Sequence, residues 1–487
     1  MVFSSLLFVY LFLPANLICY ALISDVRKKN ACILIFSLIF YAWMSPAYLI
    51  LLMVMAGINY AGAILVEKYK GTKKASAFLA VDLTITLGIL AWFKYIDFIC
   101  EIINSFFGIW GSTIFTTLPD VVLPAGISFY SFQLISYVVD VYRGDVEADH
   151  NYGHVLLYTS LFHQCIAGPI VRYRDIADDL KERKTNISSM NDGISRFCIG
   201  LSKKTILANS CGSILETLLP ETMYGVTHAT VVAAWVGCLL YMLQIYLDFS
   251  AYSDMAIGLG KMTGFRYMEN FNYPYTADSV TDFWRRWHIS LSTFFRDYVY
   301  IPLGGNRKGL KRQIFNMAVV WSLTGLWHGA SYNFVLWGVY FFVFLTIEKL
   351  FLLKLLKKMP RIISAVVGRV YTIAVVFFSW ILFRYTDFEI IHQVLRSMFG
   401  MNGNALYNVE SRTIIINNIY IIVICIIACT PLVKKMTQWL AEEAKQSHII
   451  YMRTYNVLNA VLPMIMLALS TLSLIGDSYN PFIYYRF

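Results

Sequence analysis

Charge is what this sequence has least of. Only 14% of its 487 residues are Asp, Glu, Lys or Arg, while 58% are hydrophobic; a soluble domain carries about 25% charged residues. The mean hydropathy is +0.59. A water-soluble chain of this length could not cover so much apolar surface, so the composition excludes an ordinary soluble domain and makes lipid the solvent of the outer face. Cysteine is also sparse and scattered. Cys19, Cys32, Cys100, Cys165, Cys198, Cys211, Cys238, Cys425 and Cys429 form no CxxC pair, and most lie within apolar stretches. The odd count and irregular spacing argue against a disulfide framework, and all nine read as small buried hydrophobes. HExxH, GxSxG and a phosphate-binding glycine loop are absent, and no metal site is expected. Long linkers, short-period repeats and low-complexity tracts are absent too, so residues 1–487 read as one membrane domain.

What is present is a series of apolar runs separated by basic clusters. The formal net charge is +10, and Arg27-Lys28-Lys29, Lys73-Lys74, Arg307-Lys308 with Lys311-Arg312, and Lys357-Lys358 sit between the runs. That placement follows the positive-inside rule and points to a lipid bilayer, not nucleic acid, as the partner of the basic charge. A spanning helix needs about 20 mostly apolar residues, because its backbone groups must be satisfied within the segment. Residues 2–24, 31–66, 76–97, 121–143, 152–171, 228–250, 313–327 joined to 332–353, 364–384, 412–432 and 449–475 meet or approach this. The run 31–66 is long enough for two helices broken at Ser45-Pro46. The expectation is an all-α polytopic membrane protein of roughly ten to twelve transmembrane or re-entrant helices. The apolar N-terminus lacks a basic leader and a small-residue cleavage site, and reads as a retained first helix. Basic loops facing the cytoplasm would put 25–30 and 67–74 inside and residue 1 outside. The polar region 172–204 reads as a cytoplasmic loop with an amphipathic helix. The region 265–312, polar yet rich in aromatics, reads as interfacial or dipping into a protein-lined cavity.

The strongest chemical signal is Leu326-Trp327-His328-Gly329-Ala330-Ser331, between two apolar runs. An ionisable side chain at membrane depth is costly and is a functional candidate. Imidazole is the side chain best suited to act as a base near neutral pH; the alternative is a histidine hydrogen-bonded between helices. A second signal is Asp282-Phe283-Trp284-Arg285-Arg286-Trp287-His288-Ile289-Ser290-Leu291-Ser292. If helical, it puts Trp284, Trp287, His288 and Leu291 on one face. An interfacial Trp/Arg belt would look similar. Gly304-Gly305-Asn306 marks a turn, and Arg285, Arg286, Arg307 and Lys308 could attract a phosphate-bearing cofactor. A third constellation, 124–133 leading to Tyr137, Asp140 and Arg143, sets Gln133, Tyr137 and Asp140 at helical spacing, for a polar lining or for interhelical hydrogen bonds. His150 and His154 fall near acidic residues and read as solvated surface. His163, beside Gln164 and Gly168-Pro169, is the best of the lesser histidines. His228, His392 and His448 look like segment ends. Asp248 and Asp254, within a polar stretch of an apolar region, must face protein, a cavity or water.

Several blocks together carry a resemblance: SFYSFQLISYVVDVYRG (128–144), HQCIAGPIVRY (163–173), LDFSAYSDMAIGLG (247–260), NFNYPYTADSVTDFWRRWHISLSTFFRDYVYIPLGGNRKG (270–309), LTGLWHGASYNFVLWG (323–338) and PFIYYRF (481–487). They resemble the membrane-bound O-acyltransferase family, in its bacterial alginate O-acetylation branch, over a motif-rich core at about 120–345. The D-alanyl-transferring branch resembles the sequence less well. The resemblance implies a helical fold around an internal tunnel, in a multi-pass protein of the bacterial cytoplasmic membrane. It implies catalysis at His328 with His288 as a second polar residue. It also implies an acetyl donor reached from the cytoplasm, acetyl-CoA, and an extracytoplasmic polysaccharide acceptor served by an acetyltransferase- or esterase-like partner protein. Against this stand D-alanyl transfer to a cell-wall polymer, a transporter or flippase without covalent chemistry, and a non-catalytic export scaffold.

Overall fold

The computed structural model describes residues 1–109, 113–117, 119–445 and 449–476, and not the side chains of residues 449 and 450. His448 and the terminal block 481–487 lie outside the described residues. Every regular element among the described residues is helical. This is what a bilayer demands of a spanning chain that does not close a barrel, since each backbone N–H and C=O must find a partner within its own segment. Among the described residues, five helices are long and apolar enough to cross a membrane: Pro46–Lys68, Lys73–Gly108, Val231–Thr263, Arg361–Arg384 and Tyr451–Gly476. A sixth span is available if Val409–Asn417 and Ile419–Ala428, bent by 55°, act together. Val26–Met44, Ile127–Arg143, Gly309–His328 and Tyr332–Ile347 are shorter, or begin on polar residues that lower their hydropathy. The chain is a polytopic, all-α membrane protein.

The expected break at Ser45-Pro46 is present: one helix stops at Met44 and the next begins at Pro46. Two expected spans are corrected. In 152–171 only Tyr152–Ser160 is helical; residues 161–172 form turns, with Gly168 at φ +101°. This irregular stretch is almost wholly buried in protein, which is where non-helical backbone is tolerated at membrane depth. The helix expected from 121 starts at Ile127, after Gly126 at φ +73°. The polar stretch around Asp248, by contrast, runs unbroken through the 33-residue helix Val231–Thr263. There Asp248 pairs with Lys204 at 2.7 Å, and Asp254 pairs with Arg196 and Lys203 at 2.7 and 2.8 Å. All nine cysteines are free thiols.

Two packed clusters make up the interior. One gathers the N-terminal helices with residues 127–180 and includes Trp327; the other gathers 208–249, 277–287, 321–345 and 375–398 and includes Trp284, Trp287, Trp321 and Trp337. Close helix contacts set their geometry. A Cβ on Gly325 would sit 2.4 Å from the Phe334 carbonyl oxygen, and one on Gly338 would sit 2.4 Å from that of Trp321. Helices Gly309–His328 and Tyr332–Ile347 are thus in backbone contact, as small residues permit in membranes. That contact holds the tip of the first helix, which ends at His328, on the seam between the clusters.

Candidate active site

His328 is the last residue of helix Gly309–His328, and the chain turns extended at Gly329. Its ring is 5% exposed and packs edge-on against Trp327, Trp337 and Phe383, with centroids 5.0, 4.9 and 5.1 Å away. Its Nδ1 is buried without a protein hydrogen-bond partner. The alternative of a histidine tied between helices by that nitrogen is therefore not what is seen.

His288 reaches the same place by a different backbone. The single helix expected through 284–292 does not form. Val280–Arg286 ends, Trp287 is extended, His288 is left-handed at φ +44°, and a new helix runs Ile289–Phe295. Trp284, Trp287, His288 and Leu291 are all buried nonetheless. The reason for the break lies in Asn270. Its backbone oxygen accepts from the Ile289 N–H at 3.0 Å. Its Oδ1 accepts from the Ser290 N–H at 3.1 Å and from the Ser290 hydroxyl at 2.9 Å, and lies 3.2 Å from His288 Nδ1. A backbone N–H can only donate, so this atom is the amide oxygen, and His288 must carry its proton on Nδ1. The neutral ring then keeps its lone pair on Nε2. Ser290 Oγ in turn accepts from the Ile170 N–H at 2.9 Å, joining the buried 161–172 turns to the site. Trp327 touches both imidazoles, 5.8 Å from His288 between centroids.

Two cavities lie along the helix that ends at His328. One, of about 240 Å³, is lined by Trp327 and His328 together with Lys94, Gly126, Ser128 and Phe129. The other, of about 480 Å³, is lined by Gln313, Met317, Val320, Trp321 and Thr324 of the His328 helix, and by Trp284, Arg285, Leu291, Arg296 and Lys349. Gln313 to Thr324 is the body of the helix and Trp327-His328 its tip, so the cavities follow one another along one helix and His328 marks the change.

Of the four expected phosphate contacts, only Arg285 lines the larger cavity. Arg286 is engaged by Asp282 at 2.8 Å. Arg307 and Lys308 sit on the exposed turn after Leu303, outside the cavity wall. Arg296 and Lys349 line that cavity beside Arg285. Lys94, Asn270 and Ser290 were also not singled out. Lys94 had a readable signal, as a lone cation in the apolar run 76–97.

The other candidates are structural. Tyr137 Oη accepts from the Asp149 N–H in the loop after its helix at 2.9 Å, and Asp140 accepts from Tyr298 Oη at 2.7 Å; Gln133, Tyr137 and Asp140 line neither cavity. His163 Nδ1 bonds Tyr267 Oη at 2.9 Å. His154 is held by Asp149 at 2.9 Å, and exposed His150 faces Glu67 at 3.2 Å. His228 closes a short helix as expected, whereas His392 lies inside helix Phe388–Met398 and not at an end. No group of ligands able to hold a metal occurs among the described residues.

The site is thus two buried imidazoles flanking Trp327 in a polytopic helical protein, one of them, His328, on the wall of a cavity. The comparisons with known proteins name the class. The sequence model of the membrane-bound O-acyltransferase family matches residues 146–391. The chain is 39% identical to the "Probable alginate O-acetylase AlgI" of Pseudomonas aeruginosa, over 82% of this chain and 75% of that one. It is 34% identical to the protein of the same name from Azotobacter vinelandii, over the full length of both. It is 31% identical to the peptidoglycan O-acetyltransferase of Helicobacter pylori, over 85% and 82%. The chain belongs to the membrane-bound O-acyltransferase family, and is a multi-pass membrane O-acyltransferase.

Proposed function

We propose that the protein moves an acetyl group from a cytoplasmic thioester, acetyl-CoA, to a hydroxyl of an extracytoplasmic polysaccharide, directly or through a partner protein of acetyltransferase or esterase type. The observation that carries this is the placement of the smaller cavity at the tip of helix Gly309–His328, walled by Trp327 and His328, and of the larger one along the body of the same helix. The helix starts beside Lys308, Lys311 and Arg312, so the positive-inside rule puts its start, and the larger cavity, on the cytoplasmic side of the cytoplasmic membrane. Arg285, Arg296 and Lys349 give that cavity a cationic wall suited to a phosphate-bearing donor. The smaller cavity lies toward the other face and would admit the acceptor. The two cavities would be the halves of one tunnel.

In this reading His328, the ring on the acceptor wall, removes the hydroxyl proton. The oxygen attacks the thioester carbonyl carbon, the C–S bond breaks, and the thiolate leaves toward the cytoplasm and takes up a proton. His288, its tautomer fixed by Asn270, orients the reacting groups with Nε2 as a hydrogen-bond acceptor. The aromatic cage of Trp327, Trp337 and Phe383 keeps water from the thioester. The acceptors in the names of the alginate and peptidoglycan relatives support a polysaccharide. The test is His328→Ala in the producing cell, with acetate measured on the secreted polymer and thiol release measured from acetyl-CoA in membranes. Removing a general base lowers the rate by about 10²–10⁴-fold. Unchanged acetylation at a normal membrane level would remove His328 from the mechanism.

A further inference from the structure

A lysine at membrane depth calls for a reason, because an ammonium in hydrocarbon is costly and such groups are kept for function. Lys94 lies within helix Lys73–Gly108, far from the basic clusters at either end of the adjoining loops. It is not facing lipid. Its Nζ donates to the Trp327 carbonyl and, at 3.1 Å, to Ser128 Oγ, and it stands 5.7 Å from the centroid of the Trp327 ring. The next residue, Tyr95, donates from its hydroxyl to the Leu326 carbonyl at 2.8 Å. Two consecutive side chains thus satisfy the last open carbonyls of the helix that presents His328, and a cation at a helix C-terminus is favourably placed.

Capping alone does not use the whole group. An ammonium has three donors; the protein occupies two. Lys94 and His328 line the same 240 Å³ cavity, and Lys94 holds the carbonyl of the residue immediately before the imidazole. Among the described residues, no other charged side chain lines that cavity.

The geometry points to Lys94 as a third catalytic group, whose remaining N–H stabilises the negative charge that develops on the acyl carbonyl oxygen during transfer. This rests on the acyl-transfer reading above. The hydroxyl oxygen adds to the thioester carbonyl carbon, its proton goes to His328, and the carbonyl π pair moves onto oxygen, where the ammonium meets it. Collapse restores the carbonyl and expels the thiolate. A donor fixed beforehand at both its other bonds need not reorganise, and in a site closed to water that is where such a contact acts most strongly. The tethers to Trp327 and Ser128 supply that fixity.

The experiment uses the full chain in inverted membrane vesicles from producing cells, with labelled acetyl-CoA, and reads thiol release and label on polymer. Lys94→Met keeps the length of the side chain and removes the charge. The expected result is a kcat lowered about 10²–10³-fold, with the KM for acetyl-CoA within about threefold and a melting temperature lowered only by the small amount that loss of one helix-end contact gives. In Lys94→Ala, added ethylammonium should restore turnover at least tenfold, which a purely structural lysine would not show. A folded Lys94→Met protein turning over within about threefold of the parent overturns the proposal, as does a folded Lys94→Ala protein indifferent to ethylammonium. If both neutral variants fail to fold, Lys94→Arg decides: a folded protein within about thirtyfold of the parent supports the role, and a larger loss overturns it. If the unmodified protein releases no thiol at all, the acyl-transfer reading fails and the assignment of Lys94 falls with it, whereas an active parent with unaffected Lys94 variants overturns the assignment alone.

Discussion

Replacing Asn270 with alanine isolates how much of the site depends on one amide. Asn270 Oδ1 takes the Ser290 N–H, the Ser290 hydroxyl and His288 Nδ1, and its Nδ2 donates to Ser253 Oγ at 3.2 Å. Asn270, Ser290 and His288 are each at most 2% exposed, so bulk water cannot replace the lost acceptor. The hydroxyl of Ser290 can rotate to meet the imidazole 3.4 Å away, but the Ser290 N–H keeps no such choice. An orphaned buried donor costs about 1–3 kcal/mol. If that cost falls on the one arrangement in which His288 is productive, it corresponds to a loss of about 5- to 150-fold in turnover. Asn270→Asp should behave differently. A carboxylate can accept all three bonds and favours a proton on the ring, so activity should survive in part, with the acidic limb of its pH profile moved to higher pH because His288 acts with Nε2 unprotonated. The assay is kcat against pH for thiol release from acetyl-CoA by parent, Asn270→Ala and Asn270→Asp in the same vesicles. Parental turnover and an unmoved profile in both folded variants would refute the claim that Asn270 sets the tautomer of His288.

Three further outcomes follow from the geometry. Gly325→Val drives a side chain into the Phe334 carbonyl, already 2.4 Å from an added Cβ; overpacking of this kind costs about 1–3 kcal/mol or more and should lower the melting temperature in detergent. Arg285→Gln should raise the KM for acetyl-CoA about tenfold, the scale of one charge-assisted contact, while Arg307→Gln, off the cavity wall, leaves it unchanged. On the basic face, burial pushes the Asp297 carboxyl up, but the hydrogen bond and charge of Arg296, with Arg172 and Arg174, outweigh it and hold it below its ordinary value. A lowered folded-state value stabilises above the unfolded carboxylate range and is lost as pH falls through the folded value. Melting temperature should therefore drop below about pH 4 and do so less steeply in Asp297→Asn.

His328 was legible because an imidazole between two apolar runs has few innocent explanations, and Ser45-Pro46 because proline cannot continue a helix. His288 was legible as a residue but not as a backbone. Nothing local forbids a helix through 284–292, and the left-handed turn is imposed by Asn270, 18 residues earlier. The same applies to 161–172, whose turns are paid for by distant partners such as Ser290 and, for the Phe162 N–H, Ser37 Oγ at 3.1 Å. Arg307 and Lys308 misled because a cluster of charge beside a glycine turn fixes orientation as readily as it binds phosphate. Arg296 and Lys349 reach the cavity from segments 53 residues apart, a meeting that exists only in three dimensions.

The cage around His328 has a second duty. A protein that lets reagents approach one atom from both compartments is, in principle, a hole in an energised membrane, and a proton gradient does not tolerate one. Trp327, Trp337 and Phe383 leave the ring 5% exposed, and none of the described residues lines both cavities, so in the proposed reading a stopper of rings stands between the two approaches. Trimming those rings should therefore open a passage for water as well as slow the transfer, so that the insulation of the bilayer, as much as the speed of the reaction, sets how large they must be.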